Sequence, residues 1–342
     1  MRFHINVLPT YVPELNGSMA EFFQQVLWQV QLAEELGFDG FWFTEHHFIQ
    51  YGGAIPNPAV MIAAAAARTS RIRLGSCISI LPLHHAIQTA EDYAMADVVS
   101  NGRLEFGAGS GNADIDYAVY QVDRAETRPR FEEALDLITS AWRCERFSHQ
   151  GTFWDVPKVS LQPPPVQRPH PPVWVAGSSA GSLHWAGLRG YNILTVAHPF
   201  PPEALRPPVA AWRRGLAEAG HDPTAGRCQL FIRIFVDESR ERGRQLAREC
   251  LARYDHVQIT THRRRPGYVY ACDPEYDWAA YEAVGRNIYG NPEEVIAGIK
   301  RAQANYDFDI LSVVFNFGGL QHQDILRSMR LFAQEVAPAF AE

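Results

Sequence analysis

The chain has 342 residues, 46% of them hydrophobic and 20% charged, with a formal net charge of −7 and a pI near 6.0. That length permits one large α/β domain or two average ones, and the acidic balance argues against nucleic acid or an acidic membrane surface as partner. No apolar run is long enough to span a bilayer, and the N-terminus MRFHINVLPTYVPE lacks the pattern of a secretory signal. Five scattered cysteines without a C-x-x-C pair give neither a disulfide framework nor a zinc ribbon, so a reducing cytoplasm is expected.

Strand-like and helix-like segments alternate from the first residues. Arg2–Val7 reads as a strand and Ala20–Leu36 as a helix ending at Gly37. Gly40–Thr44 is the second strand, followed by a helix over Pro58–Ala67 with proline at its start, where a missing N–H matters least. Ile72–Leu81 is the third strand and Thr89–Val99 a helix by its three-and-four spacing. Leu104–Gly109 is the fourth strand, and Glu126–Cys144 a helix with Phe131, Leu135, Ile138 and Trp142 along one stripe. Residues 145–172 break the rhythm: GTFWDV suggests a strand or hairpin, and LQPPPVQRPHPP is too poor in N–H groups for regular structure. The rhythm resumes with strands over Val173–Ala176, Asn192–Val196, Leu230–Val236 and Ile310–Phe315. Helices follow them over Ala180–Gly187, Pro202–Ala219, Pro292–Asn305 and Ile325–Val336, and residues 239–290 form a long insertion after the seventh strand. Eight βα units predict one domain over 1–342, a closed (β/α)8 TIM barrel. A doubly wound open sheet would need a glycine fingerprint after the first strand, and VLPTYVPELNG has none.

In such a barrel the chemistry sits at the C-terminal ends of the strands. FWFTEHHF places Glu45, His46 and His47 at that end of the second strand, and His84 and His85 follow the third. One of the histidines either acts as an acid–base group or is a hydrogen-bonded scaffold residue. Neighbouring residues point to opposite sides, and H-x-H spacing is absent, so no metal site is expected. In GRLEFGAGSGN the glycines either admit a ligand close to the backbone or make a tight turn. WVAGSSAGS ends the fifth strand in a Gly177-Ser178-Ser179 turn that opens a helix, which either binds an anion or is simply capped by serine. HRRRPG, 262–267, is either solvated surface or a contact for an anionic ligand or partner.

TEHHF with YGG, AARTSRIRLG, ILPLHH, AEDYAMADVVSNGRLEFGAGSG, RPRFEEALDLI, PPPVQRPHPPVWVAGSS and the closing FNFGGL…SMRLF together resemble the bacterial luciferase-like monooxygenases over nearly the whole chain. The resemblance implies a (β/α)8 barrel, usually a homodimer, that uses reduced FMN and O2; some relatives use the deazaflavin F420. It implies that His46 is the histidine near the flavin needed for oxygenation, flanked by Glu45 and His47. It also implies a non-proline cis peptide between Cys77 and Ile78 beside the flavin ring, and an FMN-phosphate turn at Gly177, Ser178 and Ser179. Where luciferase carries a cysteine and an arginine after the fourth strand, this chain has Gly109 and Ser110, which would also touch the cofactor but without the arginine's charge. Light emission is therefore not expected. The implied activity is a two-component monooxygenase. It takes reduced FMN from a separate flavin reductase, since the chain has no second nucleotide-binding domain, and oxygenates a hydrophobic organic substrate through a C4a-peroxyflavin. The alternatives are an F420-dependent dehydrogenase and a flavin-holding barrel without turnover. Such chemistry needs water excluded and a controlled proton, which suits an acid and histidines inside the aromatic run Phe41, Trp42, Phe43 and Phe48. The insertion 239–290, rich in tyrosine, starts on the same face. It is expected to be a lid, with a dimer-contact excursion as the alternative.

Overall fold

The structure is a computed structural model that describes residues 1–49, 53–198, 200–222, 224–261 and 268–341. Eight strands form the barrel: β1 (Arg2–Val7), β2 (Gly40–Phe43), β3 (Arg73–Ser76), β4 (Leu104–Gly109), β5 (Val173–Ala176), β6 (Asn192–Val196), β7 (Cys228–Val236) and β8 (Ile310–Val314). Each pairs in parallel with the next, and β8 returns to β1 with Ile310 opposite Arg2, so the ring of eight is closed. The sequence-based fold is the one observed.

Helices cover the barrel because each carries one apolar stripe. The helix Thr127–Arg143 buries Phe131, Leu135, Ile138 and Trp142, the residues its spacing singled out. Capping boxes start two others: Ser18 with Glu21 for Met19–Glu35, and Asn291 with Glu294 for Pro292–Asn305. Each supplies partners for N–H groups that a helix end leaves unpaired.

Inside the barrel, Trp42, Trp174, Leu194, Phe231 and Ile310 form a separate apolar layer, with Cys77, Ile78 and Ala176 packed on it. Below that layer the Trp42 indole donates to His4 Nδ1 at 3.0 Å, and the Trp174 indole donates to the Glu105 carboxylate at 2.6 Å. Burial pulls His4 down to about 3, leaving it neutral and able to accept. The N-terminal end is thus plugged, and the open end is the C-terminal mouth.

Three segments add detail to the sequence reading, and the second is the hairpin it expected. The third strand is not continuous: β3 stops at Ser76, a cis bond joins Cys77 to Ile78, and Ser79–Ile80 then pairs with the end of β4. Residues 147–159 form an antiparallel hairpin, Phe147–Gln150 with Asp155–Val159. The proline-rich stretch after it is held by Asp97, whose carboxylate accepts from the Val166 and Gln167 amides. The insertion after β7 has regular structure of its own among the described residues. It holds a helix over Arg240–Thr261, a short helix over Trp278–Ala283, and a strand, Asn287–Gly290, that pairs in parallel with the upper half of β7.

Candidate functional site

The chain leaves β2 at Phe43 and delivers Glu45 into the protein rather than into solvent; its side chain is almost fully buried. One oxygen, Oε1, accepts from His47 Nε2 at 2.9 Å and from His84 Nε2 at 2.7 Å, while Oε2 accepts the Ile80 amide at 3.2 Å. Burial alone would raise the Glu45 carboxyl, but the two histidine hydrogen bonds and charges outweigh it and hold it below its ordinary value. Burial likewise pulls His84 down, and the Glu45 hydrogen bond with the Glu45 and Asp92 charges more than reverses it. His47 Nδ1 lies 3.3 Å from the Tyr120 hydroxyl. Beside it Asp116 is buried without a hydrogen bond to either oxygen; burial, with the Glu45 charge adding, pushes its carboxyl up to about 6 against the pull of His47. The arrangement is a carboxylate with two imidazoles, able to hold and pass protons at near-neutral pH.

Glu45, His47 and His84 are also the grouping among the described residues whose donor atoms come within 4.8 Å of one another, the spacing a metal ion needs. Both Nε2 atoms already face the same carboxylate oxygen at hydrogen-bond distance, so the geometry fits a shared-proton cluster.

The next wall of the mouth is built by the Cys77–Ile78 bond, which is cis, and by Gly109 at the end of β4. A Cβ on Gly109 would lie 2.2 Å from Ile78 Cδ1, so a larger residue here would have to displace the Ile78 side chain. One strand further on, Gly177, Ser178 and Ser179 lead into the helix Ala180–Leu188. Ser179 is its cap, accepting from the Ser182 amide at 3.2 Å, while the serines themselves are exposed. Arg128 reaches this helix end from the helix Thr127–Arg143: its Nη1 donates to Ser182 Oγ at 2.7 Å and its guanidinium lies 5.0 Å from the Trp185 ring. A hydroxylated turn at a positive helix end, with an arginine beside it, fits a phosphate group.

The insertion meets the mouth on its other side. From its long helix, Asp255 lies 3.5 Å from His198, which follows β6, and 3.8 Å from Arg233 on β7. The Arg233 guanidinium sits 3.8 Å from the centre of the Tyr254 ring. Tyr254, Tyr270 and Tyr276 are buried.

A family model described as luciferase-like monooxygenase matches residues 1–306. The chain belongs to this family. The flavin-dependent trigonelline monooxygenase oxygenase component of Acinetobacter baylyi is 28% identical to it, covering 100% of this chain and 96% of its own. Among solved structures, monooxygenase RslO1 of Streptomyces bottropensis superposes with a TM-score of 0.92 at 28% identity, over the whole of both chains. The oxygenating constituent of 3,6-diketocamphane monooxygenase of Pseudomonas putida, solved with FMN, gives 0.82 at 22% identity, over 99% of this chain and 98% of that one. An F420-dependent secondary alcohol dehydrogenase shares the fold, with a TM-score of 0.76 at 20% identity over 100% and 99%.

Of the residues expected from sequence, the structure brings Glu45 to His47, and Ile78 to Gly109, but His46 stands outside the Glu45 hydrogen bonds, its own amide 3.4 Å from the Ile55 carbonyl. Ser110 takes part through its carbonyl, which accepts from the Tyr117 hydroxyl at 2.7 Å. The basic segment 262–267 lies outside the described residues. Sequence reasoning set His84 at the correct end of the barrel without joining it to Glu45. It gave no role to Asp116, Tyr120 or Arg128: Tyr120 meets His47 and Arg128 meets Ser182 across long stretches of chain, although Arg128 also pairs locally with Glu132.

Proposed function

We propose that the chain is the oxygenase component of a two-component flavin monooxygenase. It would take reduced FMN from a separate reductase and place one atom of O2 into a hydrophobic organic substrate. The observation that carries this reading is the buried Glu45–His47–His84 cluster at the mouth of a barrel whose floor is apolar and largely aromatic. Reduced flavin, when bound, supplies the electrons that activate O2. The remaining tasks fall to the protein. Ser178, Ser179 and the first amides of the helix Ala180–Leu188 would hold the phosphate, with Arg128 providing the cation that Ser110 does not. Gly109 and the Cys77–Ile78 bond would lie against the ring system, above the apolar layer of Trp42 and Trp174. His46 and His47 would manage a proton next to it, with Glu45 fixing His47.

The insertion 239–290 would serve as a lid, a reading supported by the ties of Asp255 to His198 and Arg233 at the rim. A homodimer is supported by exposed apolar side chains on two neighbouring helices: Val60 on the helix Pro58–Ala66 is 63% exposed, and Met95 and Val99 on the helix Ala86–Val99 are 53% and 51% exposed. The five cysteines are all free, which suits a reducing cytoplasm, and no helix among the described residues is long and apolar enough to cross a membrane.

The test is to supply the purified protein with chemically reduced FMN, 18O-labelled O2 and a panel of hydrophobic substrates. Labelled product, with less hydrogen peroxide than free flavin makes, is the expected result. Tight binding of F420 with negligible binding of FMN would overturn the proposal in favour of hydride transfer.

A further inference from the structure

In a closed ring of eight strands, β3 and β7 stand four apart and face each other across the barrel. The Cys77–Ile78 bond follows β3, so the wall opposite it belongs to β7. The register of β7 with β8 runs unbroken from Gln229 to Arg233. Phe231 belongs to the apolar layer inside the barrel, whereas Leu230, Ile232 and Ile234 pack in the larger core shared with the helices. Side chains alternate along a strand, so Arg233 points inward as well, one layer above Phe231. It is paired with Val314, the last residue of β8, and so stands at the level of the mouth. A permanently charged side chain is thus built into the wall directly above the apolar floor.

Its surroundings orient that charge. Arg233 is 9% exposed, and its guanidinium lies 3.8 Å from the centre of the Tyr254 ring. The ion pair with Asp255 is also 3.8 Å long, beyond hydrogen-bond distance. Asp255 is wholly buried, and its Oδ2 accepts from the Ala271 amide at 2.6 Å. His198 lies 3.5 Å from this carboxylate, the charges of Arg233 and Arg286 act on it, and Asp273 is the other acid nearby. Burial outweighs the arginines and pushes the Asp255 carboxyl above its ordinary value, so the acids are the weaker half of the group.

We propose that Arg233 receives a carboxylate of the substrate, and that the molecules this chain takes are hydrophobic carboxylic acids. Under the monooxygenase reading, on which this assignment rests, the flavin ring would lie against the ends of β3 and β4. The apolar body of the acid would then fill the space between the ring and β7, with its carboxylate on Arg233. A guanidinium presents a planar fork of N–H donors that matches a carboxylate at two points, which fixes orientation as well as affinity. Arg128 stands at the serine turn beyond β5 instead. The two arginines therefore serve different ends, one the phosphate of the cofactor and the other the carboxylate of the substrate. A neutral amide of the same shape forfeits the charge, and the difference between acid and amide reads the contact directly.

Isothermal titration of the purified chain compares benzoate, 2-naphthoate and decanoate with their primary amides. At least one acid is expected to bind about tenfold tighter than its amide, or better. Arg233→Met is expected to bring acid and amide to within about twofold, and Arg233→Lys to keep part of the preference, while FMN affinity stays that of the wild type. If Arg233→Met does not fold, Arg233→Met combined with Asp255→Asn removes both buried charges and takes its place. If neither folds, the wild-type comparison of acids with amides decides. No preference for any acid in the wild type, or a preference that survives the loss of Arg233, would overturn the assignment. A matching loss of FMN affinity would overturn it too, giving Arg233 to the flavin. Turnover with reduced FMN and O2 separates this inference from the reading beneath it. Acids that bind through Arg233 but are never oxygenated would sink the monooxygenase reading and leave the acid site standing. Oxygenation of neutral molecules alone would leave that reading standing and overturn Arg233 as the anchor.

Discussion

Replacing Glu45 by glutamine removes one charge and almost no volume, so its effect isolates the electrostatics of the site. The carboxylate accepts three hydrogen bonds, from His47, His84 and the Ile80 amide. A hydrogen bond to a charged group contributes about 1.5–3 kcal/mol net. The amide retains one acceptor oxygen but turns an NH2 toward donors, so at least one bond is lost and the rest become neutral. Breaking a fully buried pair costs about 3–5 kcal/mol. His84 is 28% exposed, and solvent screens its share, so we expect a loss of roughly 2–4 kcal/mol. The pH dependence is more telling than the size. Glu45 is held below its ordinary 4.5, so its contribution is present above 4.5 and lost as pH falls through the lowered value. His84 is held above its ordinary 6.5, so its contribution is complete below 6.5 and lost as pH rises through the raised value. Both are present between 4.5 and 6.5, and the deficit of the variant is largest there and narrows on either side. Urea unfolding of both proteins across pH, with a common m-value, measures this directly. A deficit under about 0.5 kcal/mol, or one that stays flat with pH, would refute the reasoning.

His46→Ala is expected to keep the fold and most FMN affinity while lowering oxygenation roughly 100-fold or more; activity within a few-fold of wild type would assign His46 to scaffolding. Arg128→Ala, and separately Ser178→Ala with Ser179→Ala, should each weaken FMN by about 1.5–3 kcal/mol while leaving riboflavin, which lacks the phosphate, nearly unaffected; isothermal titration with the two ligands compares them. Val60→Glu with Met95→Glu should yield monomers by sedimentation if the apolar helix face is the dimer contact, and an unchanged mass would exclude it. Hydrogen exchange over residues 268–277 should slow when reduced flavin and substrate are added; protection that ignores ligand but falls on dilution would make the insertion a dimer contact instead.

The eight strands and their helices were legible in the sequence because each is a local pattern. Short apolar runs alternate with amphipathic stripes, and the Phe131, Leu135, Ile138, Trp142 stripe lies buried as its spacing required. The end of the barrel that carries Glu45, His46 and His47 followed from the same pattern, since the C-terminal ends of parallel strands share one face. The family also followed from the order of its motifs, TEHHF through GSS. The partners of those residues did not. Nothing local joins Glu45 to His84, 39 positions on, or Arg128 to Ser182, 54 positions on. Such pairs exist only because closing the sheet fixes the distances between strand ends. The same holds for Gly109, which reads as a flexible turn residue in sequence. In the folded chain the Ile78 side chain lies where its Cβ would be, a contact between strand ends that only the closed sheet creates. Which of the adjacent His46 and His47 bonds Glu45 was likewise tertiary: it is His47 that meets the buried carboxylate.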